Sequence, residues 1–227
     1  MRLRVLRFAL PIKRQCIGLL GLWAGALLPS AAVGHPHEWI DLRVSMQFDA
    51  ERRLIAMEQS WLFDPFFSAY VLEELTANRP NRRRLQEQAD TLGPQMVTNL
   101  SAHNFLNKWT YDGKPVDHLT ASFVSAHVKR KQMELILRIE LPQPLDLRQG
   151  TFEYRVFDPT YYIEMLHADR HRPGLKGAPR GCRATIHEPE PSEDLLIYAA
   201  ELDRNESPED GLGQHFAERV IVTCPDQ

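Results

Sequence analysis

The residues best suited to chemistry are two histidines separated by a proline, His35-Pro36-His37, followed by Glu38 and Trp39. Neutral imidazole is the commonest protein ligand for a metal ion. These histidines follow a segment with the marks of a secretory leader. Arg2, Arg4, Arg7, Lys13 and Arg14 form a positive region without an acidic residue, 16–28 is an apolar run of 13 residues, and Pro29-Ser30-Ala31-Ala32-Val33-Gly34 supplies small residues for cleavage. The run is too short for a membrane span, which needs about 20 residues, and matches a signal-peptide core. Cleavage is expected after Ala32 or after Gly34. Cut after Gly34, the chain begins at His35, whose amine and imidazole can chelate one ion while His37 adds another nitrogen. Cut after Ala32, it begins Val33-Gly34-His35, where the amine, two backbone amides and an imidazole can surround Cu(II) or Ni(II) in a plane. Pro36 has no N–H, so a chain starting at His35 cannot extend a planar amide chelate to His37. The plainer alternative is that both histidines lead into a strand.

A second polar and aromatic cluster runs through Asp158, Tyr161, Tyr162 and Glu164 to His167, Asp169 and His171. Were this segment helical, Glu164 with His167, or His167 with His171, would share a face and could hold a cation. The competing reading is a polar rim beneath two tyrosines, with His167 the second-site metal candidate. Asp64, at the corner Trp61-Leu62-Phe63-Asp64-Pro65-Phe66-Phe67, is a helix cap or a further ligand candidate. Cys182 and Cys224 remain once Cys16 is removed with the leader, and an even pair in an oxidising compartment predicts a disulfide. Closing a loop of about 40 residues would stabilise the fold by roughly 3–4 kcal/mol. A dithiolate metal site is the alternative use of the pair.

Removing residues 1–34 takes five of the 27 basic residues and leaves 22 against 30 acidic ones, an acidic balance that disfavours nucleic acid or an anionic membrane as partner. The remaining length suits one domain with a sizeable core. No nucleophile elbow, phosphate-binding glycine loop or Cys-x-x-Cys pair is present, so no catalytic role is expected. His37-Glu38-Trp39-Ile40-Asp41 begins like a zinc-protease motif but ends in Asp. It also lies on a predicted strand, which cannot bring residues four apart together.

The elements that must position these residues read as an α+β fold, a mainly antiparallel β sandwich with a helical insertion at about 64–107. Ile40, Leu42, Val44, Met46 and Phe48 alternate with polar residues, the period of a half-buried strand. A second alternation through Ile55, Met57, Trp61 and Phe63 completes a hairpin. Asp64-Pro65 starts a helix over 66–75. An Arg-rich stretch at 78–84 leads into a second helix ending near Thr91, Gly93-Pro94 is expected to break it, and 95–107 again reads as helix. Strands follow at 109–111, turning at Asp112-Gly113, then at 121–128, 133–141, 152–156, 183–187 and 220–224. Ser192 is the expected cap of a short helix over 193–202.

Taken in order, His-Pro-His before an aromatic and a strand, Trp61-x-Phe63-Asp64-x-x-Phe67, Asp112-Gly113-Lys114-Pro115, Asp158-Pro159-Thr160-Tyr161-Tyr162 and Gly181-Cys182 with a closing Cys224 resemble the domain-of-unknown-function 1007 family over essentially the whole chain after the leader. The resemblance implies an exported bacterial protein of the periplasm, associated with transporters of nickel, cobalt or other transition metals. Many such proteins carry an acidic calcium-type loop in the central helical region. Here that region is Arg-rich and lacks the Asp-x-Asp-x-Asp-Gly spacing, so calcium binding is not expected. Three readings follow. One is a periplasmic accessory protein that binds Zn, Ni, Co or Cu and serves a membrane metal transporter. Another is a non-metal module that docks a transporter or other envelope protein through its sheet edges and aromatic corner. A third, weaker reading is a copper oxidase built on the terminal histidine.

Overall fold

The structure is a computed structural model and describes residues 35–76, 82–202 and 211–225. The expected leader and its cleavage points, Cys16, and the stretch 78–81 of the Arg-rich segment lie outside the described residues. Among the described residues eleven strands form two mostly antiparallel sheets, and three helices accompany them. The protein therefore has an α+β fold with a β sandwich.

The first sheet is built on β1 (Glu38–Phe48) and β2 (Leu54–Phe63), the hairpin expected from alternation, with Leu42 opposite Trp61 and Met46 opposite Met57. β5 (Thr120–Lys129) and β6 (Gln132–Leu145) extend it beyond β2. Their turn, Arg130-Lys131, carries positive φ at both residues, as a two-residue hairpin turn requires. The second sheet runs β10 (Arg183–His187), β11 (Arg219–Thr223), β7 (Phe152–Val156), β3 (Asn107–Tyr111) and β4 (Lys114–Pro115), antiparallel throughout. Asp112 and Gly113 make the β3–β4 turn with φ of 48° and 72°.

Inward side chains of both sheets form one core, in which Trp61, Trp109, Phe152 and Tyr154 are fully buried. A polar clamp crosses it. Gln59 of β2 donates from Nε2 to Asn107 Oδ1 of β3 at 2.8 Å, Trp61 Nε1 donates to Gln59 Oε1 at 3.0 Å, and Trp109 Nε1 donates to Asn107 Oδ1 at 2.9 Å. Asn107 Nδ2 donates onward to the Phe105 carbonyl. Both indoles are thus buried with their N–H groups satisfied, which is the condition for burying tryptophan cheaply. Cys182 and Cys224 form a disulfide that joins the chain before β10 to the chain after β11.

Two segments depart from the helical readings. The segment around Asp158 to His171, for which a helix was a condition and not the assignment, is not helical, so the shared helical face considered for Glu164, His167 and His171 does not form. The segment contains β8 (Ile163–His167), and β9 (Gly174–Lys176) follows; both pair in parallel with β1. A five-residue strand carried no clear periodicity because its polar residues hydrogen-bond inside the fold. The helical insertion also differs. After α1 (Pro65–Thr76), α2 (Arg82–Leu100) runs straight through Gly93-Pro94. A tight turn over 101–106 then ends the helical block, so Asn107 opens β3 rather than closing a helix.

Tertiary packing overrides the local break. A Cβ on Gly93 would lie 2.1 Å from the Phe123 ring, so the glycine is where α2 comes down on β5. Gln86 Nε2 adds a bond to the Ala126 carbonyl at 2.6 Å, and Ala89 and Val97 are buried on the same side. The helix thereby shields what would otherwise be an open sheet edge.

Gly93→Ala should therefore destabilise the protein by about 1–3 kcal/mol through overpacking, although alanine is the better helix former by about 1 kcal/mol. Phe123→Leu in the same chain should restore part of the loss. Urea denaturation of the single and double variants checks both outcomes.

Candidate functional site

His35 and His37 lie where β1 begins, between α3 (Glu193–Glu201) and the loop before β8. The His35 amide donates to the Ala199 carbonyl at 2.9 Å, and the His37 amide to the Tyr162 carbonyl at 2.9 Å. Ser192 caps α3 as expected, its Oγ accepting from the Leu195 amide. Beneath α3 sits a small second core of Tyr161, Ala199, Leu202, Leu212 and Phe216. Tyr161 stacks on Phe216 with ring centroids 3.9 Å apart and donates its hydroxyl to Glu164 Oε1 at 3.0 Å. Burial, and then the neighbouring Glu164 carboxylate, hold the Tyr161 phenol well above its usual range, so it stays protonated.

The loop before β8 is shaped by Asp158. Its carboxylate accepts from the Thr160 amide at 3.0 Å and the Ile163 amide at 3.1 Å, which turns the chain into β8. Gly213 lies so close to the Asp158 carbonyl that a side chain would collide with it. These contacts fix Tyr162, whose ring centroid lies 4.9 Å from that of His37 and 5.9 Å from that of His35. The two imidazole centroids are 4.8 Å apart with a tilt of 59°. His35 is 8 % exposed, and its Nδ1 is buried without a hydrogen-bond partner among the described residues.

Asp64 is the cap of α1. Its Oδ1 accepts from the Phe66 and Phe67 amides at 2.7 and 3.1 Å, and its Oδ2 from the Trp39 amide at 3.3 Å. It is thereby tied to the start of β1. Glu38, next to His37, shares this environment: burial first, then the Asp64 and Asp158 carboxylates, raise its pKa. The sequence marks Asp64 and Asp158 as candidate ligands and Glu38 only as part of the opening stretch, although its place directly after His37 was the available signal.

His167 and His171 stand elsewhere. Glu38 pairs with Ile163 and Leu42 with His167, so His167 is five residues along β8 from Tyr162, roughly 16 Å. Both its ring nitrogens are engaged. Nδ1 meets Glu218 Oε2 at 2.7 Å and Nε2 meets the Tyr154 hydroxyl at 2.9 Å, while the His167 amide also donates to Glu218 Oε2. Burial, then the charge of Glu218, push the Tyr154 phenol up, so the hydroxyl donates to Nε2 and Nδ1–H donates to the carboxylate. Nothing in the sequence pointed to Tyr154 or Glu218, because β7 and the residue before β11 come to the end of β8 only through the fold.

His171 fills a gap in the first sheet. β8 pairs with β1 as far as Leu42 and β9 resumes at Ser45, which leaves the Val44 N–H between two strands. His171 Nε2 accepts that N–H at 2.9 Å. Its ring lies parallel to that of His167, centroids 6.0 Å apart. Among the described residues no group of three or more His, Cys, Asp or Glu side chains is arranged to hold a metal ion, and no helix is long and apolar enough to cross a membrane.

Burial lowers the pKa of His171 against the opposing pull of its contact with the Val44 backbone, and the neighbouring His167 and Arg43 act in the same direction as burial. The unfolded imidazole, near its ordinary value of 6.5, binds a proton more readily than the folded one. The contribution of His171 to stability is thus full above that value and falls as the pH drops from there toward the folded pKa. The urea midpoint should decrease from pH 8 to pH 5, and His171→Gln, which keeps an acceptor but cannot titrate, should flatten part of that decrease.

With this geometry in hand, comparison with known proteins adds a family but no activity. The family described as Protein of unknown function (DUF1007) matches residues 20–224. A Haemophilus influenzae protein described as an uncharacterized protein is 25% identical over 211 residues, which cover 89% of this chain and 97% of that relative. Neither description names an enzyme activity. No solved structure matches the chain.

Proposed function

The chain belongs to the DUF1007 family, and we propose that it is a periplasmic accessory protein that binds a transition metal through His35 and His37 and assists a membrane metal transporter. The observation that carries the reading is the pair of adjacent imidazoles, one with a buried Nδ1 that has no partner among the described residues. Burying a polar nitrogen without a partner costs free energy that a bound cation would recover. Metal–imidazole bonds are about 2.0–2.1 Å long, and a centroid separation of 4.8 Å lets both rings reach one ion after small rotations. The fold offers two nitrogens here. The amine released by cleavage after Gly34 supplies a third, and an incomplete protein shell suits an ion that must be passed on. The acidic composition and the disulfide, which belongs in an oxidising compartment, agree with a periplasmic setting.

The second reading, a docking module without metal, has its own support. Trp39, Phe66 and Tyr70 are 44 %, 84 % and 62 % exposed, and Trp39 hydrogen-bonds the residue that caps the helix bearing the other two. Exposed aromatics at one corner are a common feature of protein interfaces.

Native mass spectrometry of the secreted, untagged protein with Zn(II), Ni(II), Co(II) and Cu(II) separates the readings. One ion per chain is expected, with the tightest binding to Cu(II) in vitro. His35→Ala with His37→Ala should weaken binding by at least about 100-fold, since losing even an outer-shell partner costs 10–100-fold. Unchanged affinity in the double variant would overturn the metal reading. A metal-dependent growth defect produced by Phe66→Ser and Tyr70→Ser with affinity intact would favour docking.

A further inference from the structure

The two sheets end beside one another along a groove. Among the described residues β10 is the last strand of the second sheet and pairs only with β11, while β8 and β9 end the first sheet, each paired only with β1. Two adjoining cavities of about 520 and 600 Å³ lie along this border and share His171 and Ile186. Four consecutive residues of β10, Arg183, Ala184, Thr185 and Ile186, line the second cavity. Successive strand side chains point to opposite faces, so a cavity that meets four in a row faces the edge of the strand. On that edge the main-chain N–H and C=O groups have no strand partner among the described residues.

The groove is bipolar. One end carries Asp169, Glu188 and Glu218 against the single Arg170; the other carries Arg172 and Arg183 with no acidic residue. Apart from Glu218, none of these charges forms an ion pair among the described residues. Glu218 is held in place by His167, which donates to Oε2 from both its amide and its ring, so Oε1 receives no hydrogen bond among the described residues. A fixed carboxylate with one open oxygen is a preorganised acceptor for an ammonium or guanidinium group.

We propose that this groove binds an extended peptide segment, which adds to β10 as a further antiparallel strand. The peptide places a basic side chain at the Glu188 end and an acidic one at the Arg183 end. Main-chain bonds to an open edge supply affinity in such additions, and flanking side chains supply direction. Every pairing in the second sheet is antiparallel, so a strand added to it in the same sense has its N-terminal half beside His187 and Glu188. The ligand therefore reads basic first and acidic about five residues later. Opposed charges at the two ends exclude the reversed segment, which would set like charges together.

The test uses the purified protein and a fluorescein-labelled peptide, Thr-Lys-Val-Thr-Val-Thr-Glu-Thr, acetylated and amidated at its ends, followed by fluorescence anisotropy. Saturable binding is expected, at least about tenfold tighter than for the peptide with Lys and Glu exchanged. Glu188→Lys with Arg183→Glu, both exposed positions, should invert that preference. Of two versions N-methylated at odd or at even positions, one should lose binding and the other keep it, because only alternate N–H groups of a strand face its neighbour. His35→Ala with His37→Ala should leave peptide binding unchanged, which separates this site from the metal reading. No saturation up to millimolar protein, equal affinity for the two charge orders, or indifference to both methylation patterns would each overturn the proposal.

Discussion

Everything at the candidate site depends on β1 being paired along both of its edges. On one side it forms the long antiparallel hairpin with β2, and on the other it takes β8 and β9 in parallel. A strand paired on both sides has its main-chain groups satisfied and can carry a fixed geometry to its end. Its first residues therefore leave the sheet in one direction, and the amides of His35 and His37 are bound by α3 and by the Tyr162 carbonyl. The interruption between β8 and β9 is closed by a side chain, His171, in place of a third strand. That substitution ties the order of the sheet to the protonation of one imidazole.

Several polar residues that look like ligands are used to build the fold. Asp64 caps α1 and holds the start of β1; Asp158 turns the chain into β8; His167 joins Tyr154 to Glu218 through the core. Each is engaged by groups that a metal would have to displace. His35 is different, because burial there leaves a nitrogen without a partner among the described residues. The same logic applies at the groove, where His167 engages one oxygen of Glu218 and the other receives no hydrogen bond among the described residues. Function is best sought where polar capacity is left over after folding.

The molecule thus presents two regions of different character. At the start of β1, aromatic rings and imidazoles crowd together above a small second core. Along the border of the sheets, opposed charges flank an open strand edge. β8 connects them, with Tyr162 just before its first residue and His167 as its last. A rigid strand between two surfaces lets each be altered without rebuilding the other.

Much of this was legible in the residues themselves. Alternation of apolar side chains located β1, β2 and β7, the segments of β5 and β6 read as a strand pair, the Asp112-Gly113 pair marked a turn, and Asp64-Pro65 and Ser192 marked two helix starts. The cysteine pair predicted the disulfide that the structure contains. Those signals are local, or depend only on which face of a strand is wet, so chain order alone carries them. Three features were decided by the tertiary structure. α2 continues through Gly93-Pro94 because Phe123 packs against the glycine. The segment from Ile163 to His167 is a strand because β1 offers it an edge. His35, His37 and Tyr162 meet, while His167 and His171 stand apart, because parallel pairing sets residues 120 or more positions distant side by side in one register. Short-range preference cannot encode such a meeting, since the free energy that selects it is gained only when β1 and β8 pair.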